Sequence, residues 1–172
     1  IFNGDMLPKG FIGAITLDEF DSNDGMEAVK IYLKNIDKTI YIPKQMSQIG
    51  IETAIFHLEG CSLAEADTYL FDSAYRFANV ADSAFLAAME ECLTNNNEEA
   101  KEFLKKNSTR IVDKLLEEED ESGLERISRL GVVSEEQLKR IGELAERKEW
   151  AALSAYVMNQ VDDSDDEDVF SL

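Results

Sequence analysis

The chain has 172 residues, with 36 Asp and Glu against 17 Lys and Arg and a formal net charge of −19. Hydrophobic residues at 44% supply a core and exclude wholesale disorder, while 2 Pro and 9 Gly exclude collagen-like and linker-like chains. Two Cys and one His leave little for a disulfide framework or a metal cage, and the negative excess opposes nucleic acid and anionic membranes.

Helical spacing runs through nearly all of the chain. Pro8 opens a first helix through Phe11, Ile12, Ile15 and Leu17, and an acidic break follows from Asp18 to Asp24. Asp24-Gly25-Met26-Glu27 has the form of a capping box, and the helix it predicts carries Val29, Tyr32, Leu33 and Ile36. Ile40-Tyr41-Ile42 is the one strand-like alternation and is too short to build on. Pro43 suits the first turn of the next helix, through Met46, Ile49, Ile55, Phe56 and Leu58 towards Gly60. Ser62-Leu63-Ala64-Glu65 is a second box, opening a helix with Leu70, Phe71, Ala74 and Phe77.

From Val80 to Leu93 the pattern is an Ala-rich helix whose Ala81, Ala84, Ala87 and Ala88 let neighbours approach closely. Asn95-Asn96-Asn97 reads as a loop and a cap for the helical residues from Glu98, among them Phe103, Leu104, Ile111, Val112, Leu115 and Leu116. Ser122-Gly123-Leu124-Glu125 predicts a short helix to Leu130, closed by Gly131. Ser134-Glu135-Glu136-Gln137 is the fourth box, ahead of Leu138, Ile141, Leu144 and Ala145, and a last helix uses Trp150, Leu153, Tyr156 and Val157. The expectation is an all-α fold of short stacked helices, an ankyrin-like α-solenoid or an irregular helical bundle. It spans 1–161, with 162–172 as a disordered acidic tail. Six carboxylates fall between Asp162 and Asp168, so the body still carries −13.

An offset of 72 residues aligns Glu27/Glu99, Ala28/Ala100, Lys34/Lys106, Asn35/Asn107, Ile55/Ile127, Leu58/Leu130 and Ser62/Ser134 as identities. Ile31/Phe103, Tyr32/Leu104 and Ile40/Val112 add apolar matches, which predicts two stacked units of about 7–94 and 95–161.

The segment Leu124-Glu125-Arg126-Ile127-Ser128-Arg129-Leu130-Gly131-Val132-Val133-Ser134, continuing to Leu138, with Trp150 to Asn159 and Leu7-Pro8-Lys9-Gly10-Phe11-Ile12, resembles ankyrin-like helical repeats. More narrowly, it is similar to repeat regions in uncharacterised proteins of gut Firmicutes, where they sit beside leucine-rich-repeat or other binding domains. The Thr-Pro-Leu-His tetrapeptide of ankyrin repeats is absent, and the unit exceeds the usual length of about 33 residues. The resemblance implies protein binding and carries over no catalytic residue.

The residues themselves point the same way. His57 is the one candidate base and lies on or beside an apolar helical face, where it reads as a structural or solvent-facing side chain. His57 with Cys61 would need two further ligands to hold zinc. Asp21-Ser22-Asn23-Asp24-Gly25 fails as a calcium loop, because Phe20 and Ile31 would occupy its end positions. Cys61 and Cys92 read as small buried hydrophobes in a reducing, cytoplasmic setting. Glu90-Glu91 and Glu117-Glu118-Glu119 read as solvated faces, and Asn107-Ser108-Thr109 is a glycosylation sequon in form alone.

The expected function is therefore non-enzymatic: a protein-protein interaction module that meets a protein partner or a neighbouring domain of a longer parent. No cofactor, metal, nucleic acid or membrane is expected. Tyr41, Tyr69 and Tyr75 are the candidate contacts, on condition that they face solvent. The alternative is an acidic mimic of nucleic acid that inhibits a basic protein; basic residues interspersed from Lys101 to Lys148 weaken a coherent negative face.

Overall fold

The computed structural model describes residues 28–33, 37–47, 49, 52 and 73–167. These are mostly helical, with one small two-stranded sheet. The chain divides into two compact units, Ile1–Phe103 and Leu104–Leu172.

In the first unit, β1 (Val29–Leu33) pairs antiparallel with β2 (Lys38–Ile42), in the register Val29↔Ile42, Ile31↔Ile40 and Leu33↔Lys38. Asp37 takes a left-handed φ of 49° just before β2, a conformation Asp tolerates, and its Oδ1 accepts from the Tyr32 hydroxyl at 2.8 Å. The helix expected over Val29 to Ile36 is corrected here. Val29, Tyr32 and Leu33 fit a helical stripe, but Val, Ile and Tyr also favour a pleated surface, and Ile31 decides between the two. It lies off the helical stripe yet on the strand face of Val29, and it is buried opposite Ile40.

The next helix does not start at Pro43, which is buried and irregular directly after β2 and followed by an isolated bridge, Met46↔Ala78, but Ile49 and Glu52 are helical as expected. A short 3-10 turn, Ala74–Phe77, leads to α1 (Ala81–Asn95). Both pack on β2. Ala84, Ala87 and Ala88 are buried, as the sequence predicts for a helix that others approach closely. Asn96 ends α1 in the left-handed region (φ 51°), and Asn97 Oδ1 accepts from the Ala100 N–H at 3.0 Å to start α2 (Glu98–Glu117).

The division between the units falls inside α2 rather than at the Asn95–Asn97 loop. The 72-residue offset aligns Ile31 and Ile40, in strands, with Phe103 and Val112, in α2, so these segments do not share one fold. Ile55, Leu58 and Ser62 lie outside the described residues.

The second unit holds the rest of α2, then α3 (Glu121–Arg129), α4 (Glu135–Arg147) and α5 (Ala151–Glu167). α4 packs along α5, and α3 touches both. Leu104, Val112, Leu124, Ile127, Ile141, Ala145 and Leu153 are buried at the centre. Asp120, not Ser122, caps α3, accepting from the Gly123 N–H at 3.0 Å. A Cβ at Gly123 would lie 2.5 Å from both Asp120 Oδ2 and Leu115 Cδ2, so glycine is what lets the cap and α2 close together. Gly131 has the expected left-handed φ, 63°. α5 continues helical through Glu167, six residues into the segment expected to be a tail.

The box at Ser134 forms as its sequence predicts. Ser134 Oγ accepts from the Gln137 N–H at 3.3 Å, and Gln137 Oε1 accepts from the Ser134 N–H at 2.7 Å. Gln137 Nε2 also donates to Ser108 Oγ and Thr109 Oγ1 on α2, at 3.3 and 3.2 Å. Ser134→Ala is expected to cost about 1 kcal/mol in urea denaturation. Gln137→Ala is expected to cost more, because it also breaks the link to α2. Equal losses would show that this link adds nothing.

Candidate functional site

β2 has β1 on one side, and its other side is covered by side chains of α1. The Tyr41 N–H donates to Glu91 Oε1 at 2.8 Å, Asn95 Nδ2 donates to the Thr39 C=O at 2.9 Å, and the Gln45 N–H donates to Ser83 Oγ at 3.2 Å. Asn95 Nδ2 also donates to Glu91 Oε2 at 2.6 Å. A strand edge buried against a helix must find partners for its backbone groups, and here side chains stand in for a third strand. Glu91 is 0% exposed, which corrects its reading as part of a solvated face. Its burial is tolerated because the Tyr41 N–H and Asn95 Nδ2 donate to its two oxygens.

The tyrosines do not meet the condition placed on them. Tyr41 is buried, its hydroxyl sharing a hydrogen bond with Thr94 Oγ1 at 2.8 Å. Tyr75 is fully buried, 5.0 Å from the Phe103 ring, with the Arg76 guanidinium 5.7 Å above its own ring. Burial raises the Tyr75 pKa, while Arg76 opposes the rise. Both side chains therefore complete the core of the first unit and offer little to a partner. Tyr69 and His57 lie outside the described residues.

Cys92 is buried as expected, and its S–H points at the Asn97 C=O, 3.6 Å away. Burial, reinforced by the Glu91 carboxylate, pushes its pKa up to about 11. A thiol held protonated is a poor nucleophile. Alkylation of Cys92 by iodoacetamide, read on its own peptide by mass spectrometry, is expected to be far slower in the folded chain than in urea at pH 8. It should rise as pH climbs towards 11. Fast labelling at pH 8 would contradict this environment.

In the second unit an open concavity of about 500 Å3 runs along one face of α2, lined by Lys106, Asn107, Thr109, Arg110, Asp113, Lys114 and Glu117. Every lining residue is polar, and the spacing follows successive turns of the helix. Arg140 Nη2 donates to Asp113 Oδ1 at 2.8 Å, and Lys114 lies 3.5 Å from Glu118. Charges of both signs, one amide and one hydroxyl line it together with the apolar stems of the long side chains, which contribute the larger share of its surface. The sequon lies on this helix, and the Ser108 and Thr109 hydroxyls accept from Gln137. Among the described residues no group of three or more His, Cys, Asp or Glu is placed to hold a metal ion. None of the described helices is long and apolar enough to cross a membrane.

The chain matches no family model, no curated protein and no solved structure. Sequence reasoning therefore missed the role of Glu91 and the face of α2. The signal for the first was present: Ser83, Glu91 and Asn95 recur at helical multiples of four on an otherwise Ala-rich helix.

Proposed function

We propose that this chain is a non-enzymatic protein-binding module that meets a protein partner, or a neighbouring domain, through the polar face of α2, with the cytoplasm as its setting. The supporting observation is the open concavity from Lys106 to Glu117, which offers cations, anions, an amide and the apolar stems of long side chains along three turns of one helix. The reading keeps the binding role implied by the ankyrin-like resemblance without depending on a repeat geometry.

Immobilised full-length chain, and a variant carrying Lys106→Glu and Arg110→Glu, should be challenged with cell lysate at about 0.05 M and about 0.5 M salt, a range over which screening weakens exposed charge contacts. A partner retained by the native chain at both salts and lost by the variant supports the proposal. Basic proteins released by salt and displaced by added DNA would instead favour the acidic mimic. Equal capture by both forms would move the contact away from α2.

A further inference from the structure

On the outer face of α2 the charges come in couples of like sign. Lys106 and Arg110 stand four residues apart, as do Asp113 and Glu117, and all four side chains are exposed. Like charges four apart on a helix repel, so each couple costs α2 stability. Arg140 of α4 offsets part of that cost by donating to Asp113 Oδ1 at 2.8 Å. The order of the couples is regular. Steps of four, three and four residues keep the charges on one row over about 16 Å of helix. Read from either end, the row is the same with its signs exchanged: two cations towards the N-terminus, two anions towards the C-terminus.

We infer that α2 of a second copy of the chain lies antiparallel across this row in a symmetric dimer, an inference that rests on the α2 reading above. A twofold axis level with the peptide between Ile111 and Val112 sets Lys106 of each copy opposite Glu117 of the other, and Arg110 opposite Asp113. Every charge of the row then meets its opposite, and the couples that repel within one helix are neutralised across the contact. The exchange of sign is what makes this possible: a row without it would set cations on cations when reversed. It also selects the occupant. A partner of one sign would match half of the row and be repelled by the other half, whereas a copy of the row matches all of it. Beside the row, the Thr109 hydroxyl falls opposite Lys114. Asp113 has two carboxylate oxygens, so it meets Arg110 of the second copy while keeping Arg140. The stems of Lys106 and Arg110 supply apolar contact beneath the charges. Exposed ion pairs are individually small and two chains of −19 repel one another, so the dimer is weak and forms at high concentration.

Sedimentation equilibrium of the full chain, at concentrations up to about 1 mM, should show a monomer-dimer equilibrium. Lys106→Glu with Arg110→Glu makes the row wholly acidic, and Asp113→Lys with Glu117→Lys makes it wholly basic. Each double variant alone is expected to dimerise about tenfold more weakly or worse, because like charges then face each other. An equimolar mixture of the two restores every pair and should associate as the native chain does. Lys139→Glu with Arg147→Glu on α4 alters the net charge as the acidic variant does and should leave the dimer within about twofold. Far-UV circular dichroism confirms that each variant folds. A chain monomeric throughout, a dimer unchanged by either double variant, or a mixture that fails to associate overturns the inference. Capture from lysate separates that failure from failure of the α2 reading. A monomeric chain whose lysate partner depends on Lys106 and Arg110 loses the dimer and keeps the reading, and a monomeric chain whose capture ignores them loses both.

Discussion

Glu91→Ala is expected to destabilise the chain by about 1 to 3 kcal/mol, the cost of a buried donor left without an acceptor. That donor is the Tyr41 N–H, whereas Asn95 Nδ2, on an exposed residue, keeps its bond to the Thr39 C=O. The carboxylate is 0% exposed, so water does not replace it without opening the contact between α1 and β2. Urea denaturation followed by far-UV circular dichroism measures the loss. Glu91→Gln keeps one acceptor oxygen for Tyr41 but turns an amide N–H towards Asn95, and about half the loss is expected. A change below about 0.5 kcal/mol for Glu91→Ala would mean that the strand edge finds other partners at no cost.

The second large effect lies in the other unit. Leu124 is 0% exposed, on the inward face of α3 between Gly123 and Ile127. Leu124→Ala removes apolar contacts and leaves a cavity that α3 cannot collapse to fill, because Asp120 and Gly123 hold its first turn against Leu115. The expected cost is about 2 to 5 kcal/mol. Trp150, the one Trp of the chain, belongs to this unit, so its fluorescence in urea reports the midpoint. A midpoint unchanged within error would show that this core repacks.

How far the sequence could be read depended on how local each signal is. The cap at Asn97, the box at Ser134 and the left-handed Gly131 were legible because every participant lies within four residues. The start of α3 was misplaced by two residues because Asp120 and Ser122 are both competent caps, and only the packing of Gly123 against Leu115 separates them. The hairpin was missed because Val29, Tyr32 and Leu33 satisfy a helical stripe while the partner that selects a strand, Ile40, sits across a turn. Tyr41 and Tyr75 were named as contacts on a condition of exposure, and exposure is set by α1 and Phe103, far along the chain. Glu91 was lost among carboxylates because acidity alone does not distinguish a surface charge from the acceptor of a buried strand amide.

The contact of α1 with β2 also works as a ruler. Four residues of helix rise about 6 Å and two residues of strand about 6.8 Å, so one turn of α1 keeps step with one pleat of the chain beside it. The helix positions 83, 91 and 95 answer residues 45, 41 and 39, each advance of four on the helix matching a retreat of two along β2 and the segment that follows it. The rung left out falls on Ala87 and Pro43. Proline has no N–H to offer, so this is the one rung at which the helix can place a methyl group without stranding a donor. Ala87 is 0% exposed and Pro43 is buried, as a rung without a backbone donor allows. A backbone donor created there, by Pro43→Ala, would face a methyl group that cannot accept from it.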